Sequence, residues 1–250
     1  MSGRVWLVAA AVAAFIGPEL AGCDALPGRP KVANREVVSQ QVMVFDTLYR
    51  RNCAGCHGAD GRLAAARPLN DPLYLALIST DRLRTIIAQG VPGGITHAFA
   101  ASAGGPLTDA QIDGMVRDMV ARWGRPGEVK DLPLPPYSTG DASRGESDPE
   151  GARRGMVVYA AACAGCHGPQ GKGGPKGGPV VDPAFLALVS NQALRTAVIA
   201  GRLDLGMPDW RGDAPGRPLT PQQISDVVTW LVAQRQPVPG RPALGDAPGQ

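Results

Sequence analysis

One five-residue motif occurs twice in this chain and constrains its fold more than any other feature. Cys-Ala-Gly-Cys-His stands at residues 53–57 and again at residues 163–167. Two cysteines one helical turn apart, followed at once by a histidine, are the attachment signature of c-type haem. Both thiols can bond to the vinyl groups of one porphyrin, and the histidine can then bind its iron. The candidate residues are Cys53, Cys56, His57, Cys163, Cys166 and His167.

Two other interpretations of Cys-x-x-Cys are a zinc site and a redox-active dithiol. Zinc would require more cysteine or histidine ligands nearby. A redox dithiol has no need of the histidine that follows each pair. The doubled motif therefore predicts two covalently bound haem c groups, one in each half of the chain.

Composition is consistent with a globular protein that buries an apolar cofactor. Aromatic residues make up only 5% of the chain, so the cores must consist mainly of Val, Leu, Ala and Ile. Two buried haems would add apolar bulk. The formal net charge of +3 gives no reason to expect a nucleic-acid partner.

The N-terminal residues resemble a bacterial lipoprotein signal. A positive charge precedes an apolar stretch at residues 5–17, which has the length of a signal-peptide core and is too short to span a bilayer. Leu-Ala-Gly-Cys at residues 20–23 is similar to the lipobox, in which cleavage precedes an acylated cysteine. We expect a signal peptide at 1–22, lipidation of Cys23 and a tether at 23–35. The alternative is an ordinary signal peptide with an incidental cysteine.

Lipidation of Cys23 would account for the fifth cysteine, because the other four belong to the haem motifs. No cysteine would then remain for disulfides or catalysis. We expect an exported protein of the bacterial cell envelope, lipid-anchored on the periplasmic side of the membrane. Haem attachment also belongs on that side.

The two halves of the chain are copies of one another. Residues 71–79 match residues 182–190, and residues 107–112 match residues 219–224. The pattern is that of a tandem duplication with small deletions in the first copy. The predicted segments are domain 1 at 36–124, a Pro/Gly-rich linker at 125–150, domain 2 at 151–236 and a loose tail at 237–250.

Each copy has the apolar spacing of helices and no alternating strand pattern, so the expected fold class is all-α. A helix over residues 37–49 leads into the first haem motif. Gly90 and its counterpart Gly201 stand where a helix would end. Two capping boxes, Thr108 with Gln111 and Thr220 with Gln223, predict the start of a last helix in each copy.

Residues 36–236 resemble a dihaem cytochrome c built from two tandem mitochondrial-type (class I) cytochrome c domains. The resemblance rests on the two haem motifs and on the Gly-Met-Pro sequence at residues 206–208. It implies two small helical domains, each wrapped around one covalent haem. It also implies that a loop before the last helix supplies a methionine to the iron, and that a proline carbonyl, from Pro68 or Pro179, accepts the proximal histidine N–H.

The sixth iron ligand differs between the copies. Met207 lies forty residues after His167, in the loop where the resemblance implies a ligand. The first copy has no methionine in that loop, but His97 lies forty residues after His57. Alignment on flanking residues instead places Thr96 opposite Met207. We expect Met207 and His97 to be iron ligands; the alternative is a solvent-facing His97.

Other candidates for these roles are weaker. Met115 and Met119 lie on the apolar face of the last helix, so they are expected in the core rather than on the iron. Arg84 and Arg195 align with each other and could pair with haem propionates. Their alternative role is that of ordinary helix-surface arginines.

The expected function is electron transfer by a carrier protein rather than an enzyme, with other redox proteins as partners and no small-molecule substrate. No catalytic triad, phosphate-binding glycine loop or flavin fingerprint accompanies the haems. One alternative is a dihaem peroxidase in which His97 is displaced from haem 1, although no distal acid or base is evident. A thiosulfate-oxidising protein would need a cysteine ligand, and none is spare. A third alternative is a subunit of a respiratory or photosynthetic complex.

Overall fold

The computed structural model describes residues 39–92, 94–138, 148–212 and 217–236. The predicted signal peptide, Cys23, the tether, the tail and part of the linker lie outside these ranges. The described residues are helical, with two isolated β-bridges and no strands, which confirms the all-α prediction. Within the same ranges, no helix combines the length and apolar character that a membrane span requires.

The two copies repeat one order of helices, and the described residues from Val42 onward form one compact unit. The helices are α1 (Phe45–Asn52), α2 (Ala54–His57), α3 (Pro72–Leu77), α4 (Thr80–Gln89), α5 (Asp109–Trp123), α6 (Pro126–Val129), α7 (Pro149–Ala162), α8 (Ala164–His167), α9 (Pro183–Leu188), α10 (Asn191–Ala200) and α11 (Pro221–Val232). Short 3-10 turns lie at Ser39–Gln41, Ala101–Ala103, Pro169–Gly171 and Leu203–Leu205.

The predicted helix boundaries with strong local signals are confirmed. Thr108 and Thr220 each form a full capping box at the start of the last helix of their copy. Gly90 and Gly201 end α4 and α10 with φ angles of 73° and 68°, which glycine adopts without a steric penalty. Side-chain caps and a left-handed exit therefore fix these ends locally.

The predicted start of the first helix was wrong. Helix α1 begins at Phe45, not near residue 37, and Val44 before it is extended. The amide of Gln111 in α5 donates a hydrogen bond of 2.9 Å to the carbonyl oxygen of Val42. Because the Val42 carbonyl is bound by the last helix of the copy, it does not take part in the backbone hydrogen bonds of an α-helix, and α1 cannot extend back through Val42.

In both copies the helix before the haem motif packs against the last helix. Phe45 and Tyr49 of α1 meet the ring of Trp123 edge to face, at centroid distances of 5.4 and 5.1 Å. In the second copy Tyr159 lies 4.3 Å from Trp230. The shared crossing places each haem motif at the end of a helix that the core holds rigidly.

Met115 and Met119 are 1% and 0% exposed in the core of the first copy. This burial agrees with their predicted role as core residues.

The two copies share apolar packing, and the described part of the linker contributes to it. Val129 of α6 is 8% exposed and belongs to the apolar cluster of the first copy. That cluster also contains buried residues of the second copy: Ile199, Ala200, Trp210 and Ile224. The copies are thus packed together, although residues 125–150 read as an extended connection.

Candidate functional site

Each haem motif folds into one short helical turn that continues the preceding helix. The backbone N–H groups of Cys56 and His57 donate to the carbonyl oxygen of Cys53 at 3.1 and 3.0 Å. The second copy repeats these two bonds from Cys166 and His167, at the same distances. Both cysteines and the histidine of each motif therefore share one turn, as attachment of a single macrocycle requires.

The first cysteine of each motif lacks the lowered thiol pKa of a redox dithiol. All four are free of disulfides. Burial, reinforced by the neighbouring motif cysteine, raises the pKa of Cys53 and of Cys163 to about 11. A reactive dithiol depends on a lowered thiol pKa, so these values disfavour that alternative.

A tyrosine fixes the backbone that leaves each motif. The Tyr49 hydroxyl donates to the carbonyl oxygen of Gly58 at 2.9 Å, and Tyr159 donates to Gly168 at 2.7 Å. Both tyrosines are 3% exposed. Each copy thus ties the helix before the motif to the loop after it.

Both motif histidines, the predicted proximal ligands, are oriented through Nδ1. The Nδ1 of His57 lies 2.7 Å from the carbonyl oxygen of Arg67, and that of His167 lies 2.9 Å from the carbonyl oxygen of Gly178. Donation from Nδ1 leaves Nε2 with the lone pair that binds a metal. Burial lowers the pKa of His57, which favours the neutral form that an iron ligand needs.

The acceptors correct the prediction that Pro68 and Pro179 supply these carbonyls. In both copies the acceptor is the residue immediately before the proline. A proline restricts the preceding residue to extended conformations. The proline therefore aims the carbonyl of its neighbour rather than its own.

Arg67 gives an independent test of whether haem fits the first site. Its Nη1 atom is buried without a hydrogen-bond partner among the described residues. Burial lowers the pKa of its guanidinium, which records the cost of holding this charge away from water. A haem carries propionate carboxylates that such a donor would satisfy, so the residues present fit the group. Sequence comparison missed Arg67 because its counterpart in the second copy is Gly178, which lacks a side chain.

The Met207 loop is held by a two-residue bridge. The backbone N–H groups of Arg202 and Met207 each donate to the carbonyl oxygen of the other at 3.0 Å. Gly201 lies so close to this loop that a Cβ there would stand 2.6 Å from the Met207 carbonyl oxygen. The position of Met207 is therefore fixed by its backbone, and its role as an iron ligand stays a prediction.

The corresponding loop of the first copy places Thr96, not His97, in the position of Met207. Val91 donates to Thr96 at 2.8 Å, as Arg202 donates to Met207. Further along, Leu107 donates to Phe99 at 2.8 Å, as Leu219 donates to Trp210. The interval from the helix-ending glycine is the same in both copies, because Thr96 lies six residues after Gly90 and Met207 lies six residues after Gly201. The described conformation therefore has no one-residue shift between Gly90 and Thr96. The exposed His97 ring instead lies 4.3 Å from Phe99, and ligation by His97 stays a prediction that needs this loop to move.

The two candidate propionate arginines have protein partners. Arg84 pairs with Asp113 at 2.6 Å and Asp109 at 2.9 Å on the surface of α5. Arg195 is 5% exposed and donates to the carbonyl oxygen of Pro136 at 2.9 Å, and also to Tyr137 and Ser225. These contacts favour structural roles, and those of Arg195 hold the linker against the second copy.

Comparison with known proteins identifies the family. The model of a family described as "Cytochrome C oxidase, cbb3-type, subunit III" matches residues 40–117 and 150–231, which is more than half of the chain. The chain belongs to this family. Each of the two matched segments contains one haem motif. The predicted pair of tandem class I cytochrome c domains is therefore confirmed. Membership also implies covalently bound haem c.

Curated relatives of this subunit III family member carry related names. The cbb3-type oxidase subunit CcoP of Rubrivivax gelatinosus is 30% identical over 54% of this chain and 36% of its own length. Subunit FixP of Bradyrhizobium diazoefficiens is 31% identical over 66% of this chain and 53% of its own length. FixP of Azorhizobium caulinodans is 27% identical over 79% and 61%. The matches thus span from about a third to three fifths of these relatives.

Proposed function

We propose that this protein is a dihaem electron carrier that works on the periplasmic side of a bacterial membrane, tethered by a lipid on Cys23. The observation that carries the proposal is the repeated arrangement of one attachment turn and one carbonyl-oriented histidine in each copy. Haem c supplies reversible one-electron chemistry when it is bound. The chain supplies axial ligands, orientation and shielding from water.

The two centres are proposed to differ in reduction potential. Met207 would give the second centre a thioether ligand opposite His167, which raises the potential of a haem. His97 would give the first centre a second imidazole. Electrons would then move downhill from the first copy to the second. The related oxidase subunits support a further proposal, that the partners are other redox proteins in a membrane complex.

A potentiometric titration of the haem-loaded chain tests this function. We expect two one-electron steps, separated by more than the roughly 59 mV that corresponds to a tenfold ratio of reduction constants. Substitution Met207→Leu should remove the higher-potential step, because leucine has no donor atom for iron. The matched control is Met119→Leu, a core methionine that is 0% exposed, which should leave both steps in place. A single shared potential would contradict the proposal.

Low-temperature EPR tests the ligand of the first centre. We expect two low-spin signals from the oxidised protein and conversion of one to high spin in His97→Ala, because the imidazole would be lost. Thr96→Ala is the control, since Thr96 occupies the position equivalent to Met207 in the described loop.

A high-spin first centre in the unmodified protein would contradict the His97 assignment. It would favour the second candidate function, a dihaem peroxidase with an open site at the first centre. The specific observation behind this candidate is the loop register, which places a threonine where the second copy has its methionine.

A further inference from the structure

The loop that carries Met207 in the second copy is bound to the loop that follows the haem motif in the first. Arg202 Nη2 donates to the carbonyl oxygen of Ala64 at 2.9 Å. The backbone N–H of Leu63 donates to Oδ2 of Asp204 at 3.0 Å. Two reciprocal bonds therefore cross between the copies at one place.

Arg202 and Asp204 are held as a rigid pair. The guanidinium donates from Nε to Oδ1 at 2.9 Å and from Nη2 to Oδ2 at 3.0 Å. The two side chains are 17% and 5% exposed. Forked, largely desolvated arginine–carboxylate pairs have a defined geometry and are weakly screened by salt.

On the first-copy side of the contact, the backbone of Leu63 is strained, and its hydrogen bond to Asp204 offsets that strain. Leu63 has a φ angle of +56°, in the left-handed region that is sterically unfavourable for a residue with a Cβ. Its side chain is 69% exposed, so side-chain burial does not account for the conformation. The conformation instead aims the Leu63 N–H at Asp204.

Each side of the contact leads directly to a proposed iron ligand. Arg202 is bridged to Met207 by both backbone bonds between them. On the other side, the loop with Leu63 and Ala64 ends at Arg67, whose carbonyl orients His57. The Arg202 guanidinium thus connects the loop that carries Met207 to the loop of the first copy that carries Ala64 and ends at Arg67.

We propose that Arg202 is a positioning residue that fixes the two haem centres relative to each other and neutralises the Asp204 carboxylate that lies between them. The inference rests on the proposed dihaem function. Without Arg202, the Asp204 carboxylate would be an uncompensated negative charge beside the first centre. Such a charge favours the oxidised form of a haem, because reduction removes one unit of positive charge. A residue of the second copy is therefore expected to raise the reduction potential of the first centre.

The test uses the full, haem-loaded chain with Arg202→Gln, Arg202→Lys and Arg211→Gln. Arg211 is the matched control, because it lies on the other side of Met207 and forms a similar pair with Asp209 at 2.6 Å. Arg202→Gln should lower the reduction constant of the first centre about three- to tenfold, where tenfold corresponds to about 59 mV. Arg202→Lys keeps the charge but loses the forked pairing, so it should lower this constant less than Arg202→Gln does. Arg211→Gln should leave the first centre unchanged.

Hydrogen exchange of residues 58–67, followed by mass spectrometry, gives a readout that does not depend on electron transfer. Arg202→Gln should speed exchange of the Leu63 amide at least tenfold, because its acceptor Asp204 is no longer held. An unchanged first-centre potential in Arg202→Gln, or an equal shift in Arg211→Gln, would overturn the inference. If the unmodified chain held only one haem, the proposed function would fail, and the exchange measurement would still decide whether the contact exists.

Discussion

A chain in which Cys163 and Cys166 are both replaced by alanine should hold one haem where the unmodified chain holds two. Each motif supplies its own pair of thiols on one helical turn, and the copies share none of these atoms. Covalent attachment survives unfolding, whereas axial ligation does not. The mass of the denatured protein should therefore fall by one haem, and the haem absorbance per chain should fall by half.

Two variants make this result specific. The reciprocal replacement of Cys53 and Cys56 should also remove one haem, while replacement of all four cysteines should remove both. Cys23→Ala should keep the full haem content, because Cys23 lies outside both motifs. Retention of two haems after loss of either pair would mean that the motifs are not independent attachment sites.

The second large effect is expected at the helix crossing of the second copy. A Cβ on Gly155 would collide with the backbone carbonyl of Asp226 and stand 2.8 Å from the Cβ of Trp230. Valine at this position should force α7 and α11 apart, at a cost of about 3 kcal/mol in the free energy of unfolding. For a cooperative unit of this size, the midpoint of thermal unfolding should fall by about 6–12 °C.

Gly127→Val is the control for this stability experiment. Gly127 also lies in a helix, but a Cβ there would meet nothing within 4 Å. Circular dichroism of the haem-loaded protein should show a change of less than about 1 kcal/mol for this variant. Equal losses at Gly155 and Gly127 would show that helix propensity, rather than the crossing, determines the effect.

Most helix ends that could be predicted from the sequence are marked by local signals. Capping boxes at Thr108 and Thr220 and the glycine ends of α4 and α10 act within one turn, so their residues suffice to locate them. The start of α1 could not be read in the same way. It depends on the bond between Gln111 and Val42, which lie 69 residues apart in the chain.

The same distinction applies to the candidate site. Motif spacing predicted the attachment turns, since the thiols and the histidine are neighbours in sequence. Arg67, Arg202 and Asp204 escaped notice because comparison of the two copies rewards residues that repeat. Arg67 corresponds to a glycine in the second copy, and Arg202 corresponds to Val91 in the first. A contact made by residues that differ between the copies cannot be found by looking for residues that the copies share.

The apolar cluster that runs from the first copy into the second has a consequence for how such a chain can evolve. Ile199, Trp210 and Ile224 of the second copy are buried in a cluster made mostly of first-copy side chains. A duplicated domain can be moved between proteins only while its own surface is polar enough to face water. Here part of the surface of each copy is buried against the other copy. Neither copy could therefore be moved alone into another protein without exposing apolar side chains to water. The pair, rather than the single domain, is therefore the smallest unit that keeps these side chains buried.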